Sequence, residues 1–360
     1  MVQYPNFPLS AWYAAGWADA IGRIPSPRMI CHKPIVLYRK LDGSAVALED
    51  ACLHRLLPLS MGRIEGDTLV CGYHGMAFDS TGLCVRIPTS RERPSSGSRV
   101  RSYPVVERHG LIWVWLGDAA IADPKSIPDL HWADDPAWAS SLSHIELKCD
   151  FRLVIDNLMD LTHETFVHAS SIGHEKITEV PMKVEHDDKS VTASRWMIDC
   201  DGPPFMARQL RLARDLSASH VDRWQVIRFE APTTIVIDVG LCPTGMGAPE
   251  GDRSKGFNGR VLNTVTPQSD GRCDYFFGYA RDFCISDANL TAELRAGVIK
   301  IFSEDKAILE AQQKSLDLHP DRRLLNLGPD SGSMWARRII KRMIQAEAGS
   351  ARIRAGTVKA

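Results

Sequence analysis

Two short clusters of cysteine and histidine constrain this 360-residue chain more than anything else in it: Cys52-Leu-His54 and Cys71-Gly-Tyr-His74, with sixteen residues between His54 and Cys71. Two thiolates and two imidazoles at that spacing specify a metal centre. A Cys2His2 set can hold a structural zinc. Zinc fingers, however, usually carry one ligand pair on a helix, and here both pairs fall in loops. Thr68-Leu-Val-Cys71 reads as a strand running into a loop, and Ala77 to Pro88 as a hairpin turning at Ser80-Thr-Gly82. A [2Fe–2S] centre of mixed ligation suits this arrangement better, with two cysteines on one iron and two histidines on the other. Its neutral imidazoles raise the reduction potential.

A second metal site is legible further along. Asn157-Leu-Met-Asp160-Leu-Thr-His163-Glu-Thr-Phe-Val-His168 places two histidines five residues apart. Five residues turn a regular α-helix by about 500°, or 140° net, so the imidazoles share no face unless the helix is bulged or ends between them. Non-haem iron sites that activate oxygen use two histidines and one carboxylate. From Leu290 to Lys314 the chain reads as an amphipathic helix with Leu294, Val298, Ile301, Ile308 and Gln312 inward, and Asp305 falls on that face. A carboxylate there must be paired or bound to a cation. Metal ligation explains it, and a buried salt bridge to an arginine is the alternative. Glu304 is the runner-up ligand, but it points about 100° away, toward solvent.

Cys52-Leu-His54-Arg55, Pro58-Leu-Ser60 and Cys71-Gly-Tyr-His74-Gly75 together resemble the cluster signature of the Rieske non-haem iron oxygenases, with Leu53 where many members have proline. The Asn157-x-x-Asp160-x-x-His163-x4-His168 run and the helix around Ser303-Glu-Asp305 are similar to that family's iron-binding motifs. The resemblance implies one Rieske [2Fe–2S] cluster on Cys52, His54, Cys71 and His74, and one mononuclear Fe(II) on His163, His168 and Asp305. It further implies that the carboxylate of Asp160 links His163 to His74 of a neighbouring subunit, that Asn157 edges the iron site, and that the subunits form a homotrimeric ring.

Over nearly its whole length the chain is similar to the oxygenase components of vanillate O-demethylases. The marks are Trp12-Tyr13, Ile112-Trp-Val-Trp115, the run from Ile155 to Gly173, and Val221-Asp-Arg-Trp-Gln225. The stretch from Pro243 to Gly251 also resembles toluenesulfonate methyl-monooxygenases. The implied activity is oxygen-dependent, NADH-linked hydroxylation of a methyl carbon on an aromatic substrate. O-demethylation of a methoxybenzoate such as vanillate, with formaldehyde release, is favoured over hydroxylation of an aryl methyl group. A Rieske electron carrier without oxygenase activity is the alternative of another class, and it would leave Asp305 remote from the two histidines. The chain has no glycine-rich nucleotide motif and no plant-type ferredoxin cysteine run. The reductase is therefore expected to be a separate chain, and the resemblance implies that it carries flavin and a second iron–sulfur cluster and takes its electrons from NADH.

The expected fold is α+β. An all-β Rieske [2Fe–2S] domain spans 1–120, a linker 121–140, and a catalytic non-haem iron domain 141–345, in which helices flank an antiparallel sheet. A flexible tail follows at 346–360. Thr89 to Ser98 reads as an exposed loop, and Gly245 to Phe257 as a glycine-rich loop over part of the site. With 43 basic and 44 acidic residues the chain has no charge excess suited to nucleic acid. It shows no long apolar run and no secretory leader, so a cytoplasmic protein is expected. Cys31, Cys84, Cys149, Cys200, Cys242, Cys273 and Cys284 are then buried thiols. Arg337, Arg338, Lys341 and Arg342, followed by Arg352, Arg354 and Lys359, form a solvated helix face or a docking surface for an acidic electron-transfer partner. Arg195, Trp196, Phe205 and Arg223 are candidate substrate contacts.

Overall fold

The computed structural model describes residues 6–88 and 94–357, with side chains through 349. The chain forms two compact units. One is built from the chain up to Ile127 with the short return Thr266–Ser269 and the residues from Ser350 onward, the other from Pro128–Val265 and Asp270–Gly349.

Among the described residues up to Ile127, the first unit is all β apart from short 3-10 turns. One sheet has the order Trp12–Trp17, Leu111–Trp115, Val105–Arg108, and a second has Ser26–Ile30, Lys33–Arg39, Ala45–Glu49, Ser102–Tyr103. The third, Arg63–Glu65, Thr68–Val70, Ala77–Phe78 and Cys84–Arg86, carries the cysteine and histidine loops. Its last hairpin turns at the expected Ser80-Thr-Gly82. There the Asp79 carboxylate accepts from Thr81 N at 2.9 Å, Thr81 Oγ1 at 2.7 Å and Leu83 N at 3.1 Å, and Gly82 supplies a φ of +80°. Val36, Tyr38, Leu48, Leu69 and Phe78 form the core beneath, and Cys52 and Cys71 are buried in the same cluster. Of the Thr89 to Ser98 loop, 89–93 lie outside the described residues, and Ser98 N donates to Ser95 O in a turn.

The second unit is a seven-stranded antiparallel sheet with helices packed on it. Its order is Ala139–Leu147, Arg272–Arg281, Phe257–Ser269, Thr234–Pro243, Val221–Glu230, Ser190–Cys200, Lys183–His186. Register aligns Gly259, Val239, Gln225 and Arg195 in one row across four strands. Side chains alternate between faces, so this row and its neighbour Arg223 share a face, while Trp224 and Asp238 lie on the other. The segment 121–140 is less irregular than a linker: Pro124–Ser126 and His131–Ala133 are 3-10 turns, and the first strand begins at Ala139.

The helices are α1 (Phe151–Met159), α2 (Glu164–Val167), α3 (Lys176–Glu179), α4 (Pro204–Arg214), α5 (Ala288–Leu318) and α6 (Ser331–Thr357). Asp150 caps α1 by accepting from Arg152 N, and Asp287 caps α5 by accepting from Leu290 N. The buried stripe of α5 is Leu290, Leu294, Val298, Phe302, Asp305 and Leu309, whereas Ile308 is half exposed. Asp305 thus lies inward as expected, the stripe adds Phe302 and Leu309, and Ile301 lines a cavity beside Asp305, so that of the two isoleucines only Ile308 falls outside the expected face.

α6 continues to Thr357, so 346–357 are helical where a loose tail was expected. Its basic residues are largely spent within the unit. Arg337 Nε bonds Asp156 at 2.7 and 3.0 Å, Arg338 lies over the Trp335 ring, and Arg342 meets Asp188 at 3.1 Å. Among the described residues no helix is long and apolar enough to cross a membrane.

Gly240 marks the closest approach in the sheet. A Cβ there would lie 2.0 Å from Trp224 Cζ2 and 2.3 Å from Phe257 O, in a fully buried setting. Gly240→Ala is expected to destabilise the second unit by about 1–3 kcal/mol through overpacking, read as a lowered thermal unfolding midpoint.

Candidate active site

The two cysteine and histidine loops are built alike. Cys52 N donates to Leu57 O at 2.9 Å and Cys52 O accepts from Leu56 N at 2.9 Å; Cys71 N donates to Met76 O at 2.8 Å and Cys71 O accepts from Gly75 N at 3.1 Å. Each loop needs a left-handed residue four positions after its cysteine. Gly75 provides it at φ +70°, whereas the first loop forces Leu56 to φ +57°, a rare conformation for a branched aliphatic side chain. Both thiols are buried and both imidazoles are exposed, with the two Nδ1 atoms 3.2 Å apart. Burial, with Cys71 beside it, pushes the Cys52 thiol up to about 11. Two inward thiols and two converging imidazole nitrogens match the donor set of a mixed-ligand [2Fe–2S] cluster. Cys84, a third buried thiol in this core, donates to Arg86 O instead.

In the second unit the two histidines come together because the helix breaks. α1 ends at Met159, Asp160 is extended, Leu161–His163 make one 3-10 turn, and His168 closes the single-turn α2. This is the termination that the five-residue spacing requires. The ring centroids lie 5.3 Å apart. Asp305 Oδ1 is 3.4 Å from His163 Nε2 and 3.2 Å from His168 Nε2. These three residues each offer a ligand atom within 4.8 Å of the others. A remote Asp305 would have supported the electron-carrier alternative, and Asp305 instead lies beside both histidines. Among the described residues its ion pairs are with these histidines and not with an arginine.

The electrostatics also suit a cation. Burial alone would raise the Asp305 carboxyl, but the imidazoles of His163 and His168 hold it down to about 2. Burial lowers both histidines, and Asp305 beside them more than reverses that. Two nitrogens and one carboxylate oxygen converging in the interior fit a mononuclear non-haem iron.

The surroundings differ from the sequence reading in two respects. His163 Nδ1 lies 2.8 Å from the main-chain carbonyl of Asp160, while the Asp160 carboxylate accepts from Thr162 N and Oγ1 at 2.9 Å. The residue expected to hold His163 does so, but through its backbone, because its side chain caps the 3-10 turn. Glu304, expected in solvent, instead lies 2.7 Å from His168 Nδ1. Asn157 edges the site as expected, donating to Asp305 Oδ1 at 3.1 Å.

A cavity opens beside the triad, walled mainly by Leu158, Ile172, Phe205, Ile237, Val261 and Phe302. Of the four candidate contacts, Phe205 and Arg223 line it, and Arg195 and Trp196 do not. Arg223 is already engaged: it donates to Glu164 at 2.9 Å and to Ile172 O at 3.1 Å, and Gln225 donates to the same carboxylate at 3.0 Å. The unforeseen polar lining is Gln209, whose Oε1 accepts from Tyr279 Oη at 2.5 Å. No periodicity in α4 singles out that glutamine. The 245–257 loop does not close over the cavity apart from Phe257. Arg253 pins it to Asp238 at 2.7 Å and lies over the Trp196 and Trp224 rings, on the opposite face of the sheet.

Comparison with known proteins accounts for both units. Residues 11–104 match the Rieske [2Fe-2S] domain, and 147–346 match the vanillate O-demethylase oxygenase C-terminal domain. The chain is 43% identical to a vanillate O-demethylase oxygenase subunit of Pseudomonas sp. (strain HR199 / DSM 7063), over 95% of this chain and 96% of that protein. It is 35% identical to the iron-sulfur subunit of a toluene-4-sulfonate monooxygenase system of Comamonas testosteroni, over 94% and 98%. A crystal structure of dicamba monooxygenase bound to 3,6-dichlorosalicylic acid superposes with a TM-score of 0.88 at 33% identity, covering 95% of this chain and 99% of that one. With a cluster unit, a buried two-histidine and one-carboxylate site and these relatives, the chain belongs to the vanillate O-demethylase family of Rieske non-haem iron oxygenases, the terminal components of multicomponent monooxygenases.

Proposed function

We propose that this chain O-demethylates a methoxybenzoate such as vanillate. Oxygen insertion into a methoxy C–H bond gives a hemiacetal, which breaks down to the phenol and formaldehyde. The second oxygen atom leaves as water, and the two electrons come from NADH through a separate flavin and iron–sulfur reductase. In this reading Cys52, His54, Cys71 and His74 hold the cluster, and His163, His168 and Asp305 hold the iron. The reading rests on one observation above all: the buried triad stands in the wall of an apolar cavity suited to an aromatic ring. When bound, the two metal groups supply electron relay and the reductive activation of oxygen.

The chain's own residues prepare that chemistry. The Asp160 carbonyl and the Glu304 carboxylate accept hydrogen bonds from Nδ1–H of His163 and His168, which would leave Nε2 of each ring to a cation held with Asp305. Asn157 holds Oδ1 of that carboxylate. The apolar wall excludes water and sets the ring plane by shape. Arg223 is neutralised by Glu164, so it supports the wall and does not act as a free cation for a substrate acid. In a head-to-tail homotrimer, the Asp160 carboxylate would accept from His74 of the partner subunit while its carbonyl holds His163. One residue would then join the two metal sites, by its side chain on one side and its backbone on the other. The nine free cysteines suit work in the cytoplasm.

The purified, metal-loaded protein with a matched reductase, NADH and oxygen is expected to release formaldehyde in step with demethylation of methoxybenzoates, and His163→Ala to abolish both. A hydroxymethyl product from methyl-arenesulfonates, without formaldehyde from any methoxy substrate, would transfer the assignment to methyl hydroxylation. Glu164→Ala leaves Arg223 buried without its counter-charge and is expected to cost about 3–5 kcal/mol, measured as a shift in thermal unfolding relative to wild type.

A further inference from the structure

The His168 ring is bracketed by two successive carboxylates of one helix. Asp305 Oδ1 lies 3.2 Å from Nε2, and Glu304 Oε2 lies 2.7 Å from Nδ1. Adjacent residues of an α-helix point about 100° apart, so both can reach one imidazole only when the ring stands across the helix surface with one nitrogen toward each. The main chain of His168 has little freedom of its own, because its carbonyl accepts from Ser171 N at 3.0 Å, Ile172 N at 3.2 Å and Gly173 N at 3.0 Å. Gly173 allows this wrap, since a Cβ there would come within 2.5 Å of Glu164 O. The side chain, 1% exposed, is then held at both ring nitrogens, by Asp305 at Nε2 and by Glu304 at Nδ1. The corresponding nitrogen of His163 meets only a neutral carbonyl. Among the described residues His168 is the one hydrogen-bond partner of the Glu304 carboxylate.

We propose that Glu304 is a positioning residue for the iron site: it fixes His168 with Nε2 toward the metal and makes that imidazole the stronger donor of the two. The proposal rests on the assignment of His163, His168 and Asp305 as the iron ligands. A charged acceptor on the far nitrogen of a ligating histidine sets its tautomer and raises its basicity, and losing such a partner typically costs about 10–100-fold in metal affinity.

The test uses the full-length protein loaded anaerobically with cluster and Fe(II). Release of the mononuclear iron to a ferrous chelator gives its affinity. The electron paramagnetic resonance spectrum of its nitric oxide adduct reports ligand geometry, and cluster absorption and circular dichroism verify folding. Glu304→Ala is expected to weaken iron retention by about 10–100-fold and to alter the nitrosyl spectrum, with cluster absorption unchanged. Glu304→Gln, which keeps an acceptor but not the charge, should fall between it and wild type. Should Glu304→Ala fail to accumulate folded, Glu304→Gln alone decides, and wild-type retention in it overturns the proposal. Asp305→Ala separates the two readings. If it loses iron while Glu304→Ala holds iron as wild type does, only the role of Glu304 falls. If Asp305→Ala also holds iron normally, the ligand assignment falls with it.

Discussion

A carboxylate buried on the inner face of a 31-residue helix is the constraint around which the second unit is organised. Asp305 is 4% exposed and lies among apolar neighbours, where an ionised group is costly unless opposite charge or donors surround it. The chain meets that requirement with two imidazole edges and one asparagine amide. Each of these comes from the segment that begins at α1, and they converge only because α1 stops at Met159 and the backbone turns. The break in the helix and the buried acid are thus two halves of one arrangement.

The cluster unit meets a similar demand by a different route. Its metal-facing groups sit on two loops, not helices, and the loops repeat one hydrogen-bond pattern about their cysteines. The thiols are buried in a small core on a main chain held by hydrogen bonds to its own loop, while the imidazoles reach the surface. That division suits a group that must be shielded at one end and meet an electron donor or acceptor at the other. The left-handed Leu56 shows the local conformational cost of repeating the loop where the sequence has no glycine.

Charge in the cavity wall is balanced before any ligand arrives. Glu164 and Arg223 neutralise each other, and Gln225 completes the carboxylate's hydrogen bonds. Orientation of an aromatic ring then depends on shape and on a few neutral polar groups such as Gln209 and Tyr279. An arginine on a strand near a site was a natural candidate for binding an acid. The structure gives Arg223 a counter-charge of its own, and Arg195, though on the same face of the sheet, does not line the cavity.

Much was legible in the chain itself. Donor types and spacing singled out both groups of residues that the structure brings together, and turn chemistry placed the hairpin at Ser80-Thr-Gly82. Helical periodicity brought Asp305 inward, since a group's face on a helix is a local property of sequence. What required the tertiary structure was every choice between atoms of one residue or between adjacent residues. Asp160 holds His163 by its carbonyl because its carboxylate is occupied by Thr162. Glu304 faces His168 because the ring lies across α5, and Leu309 is buried where Ile308 is half exposed. Sequence determined which groups were present and roughly which side they faced. Only packing of segments far apart in the chain decided which lone pair met which proton, because those contacts depend on ångström-scale placement that no local pattern encodes.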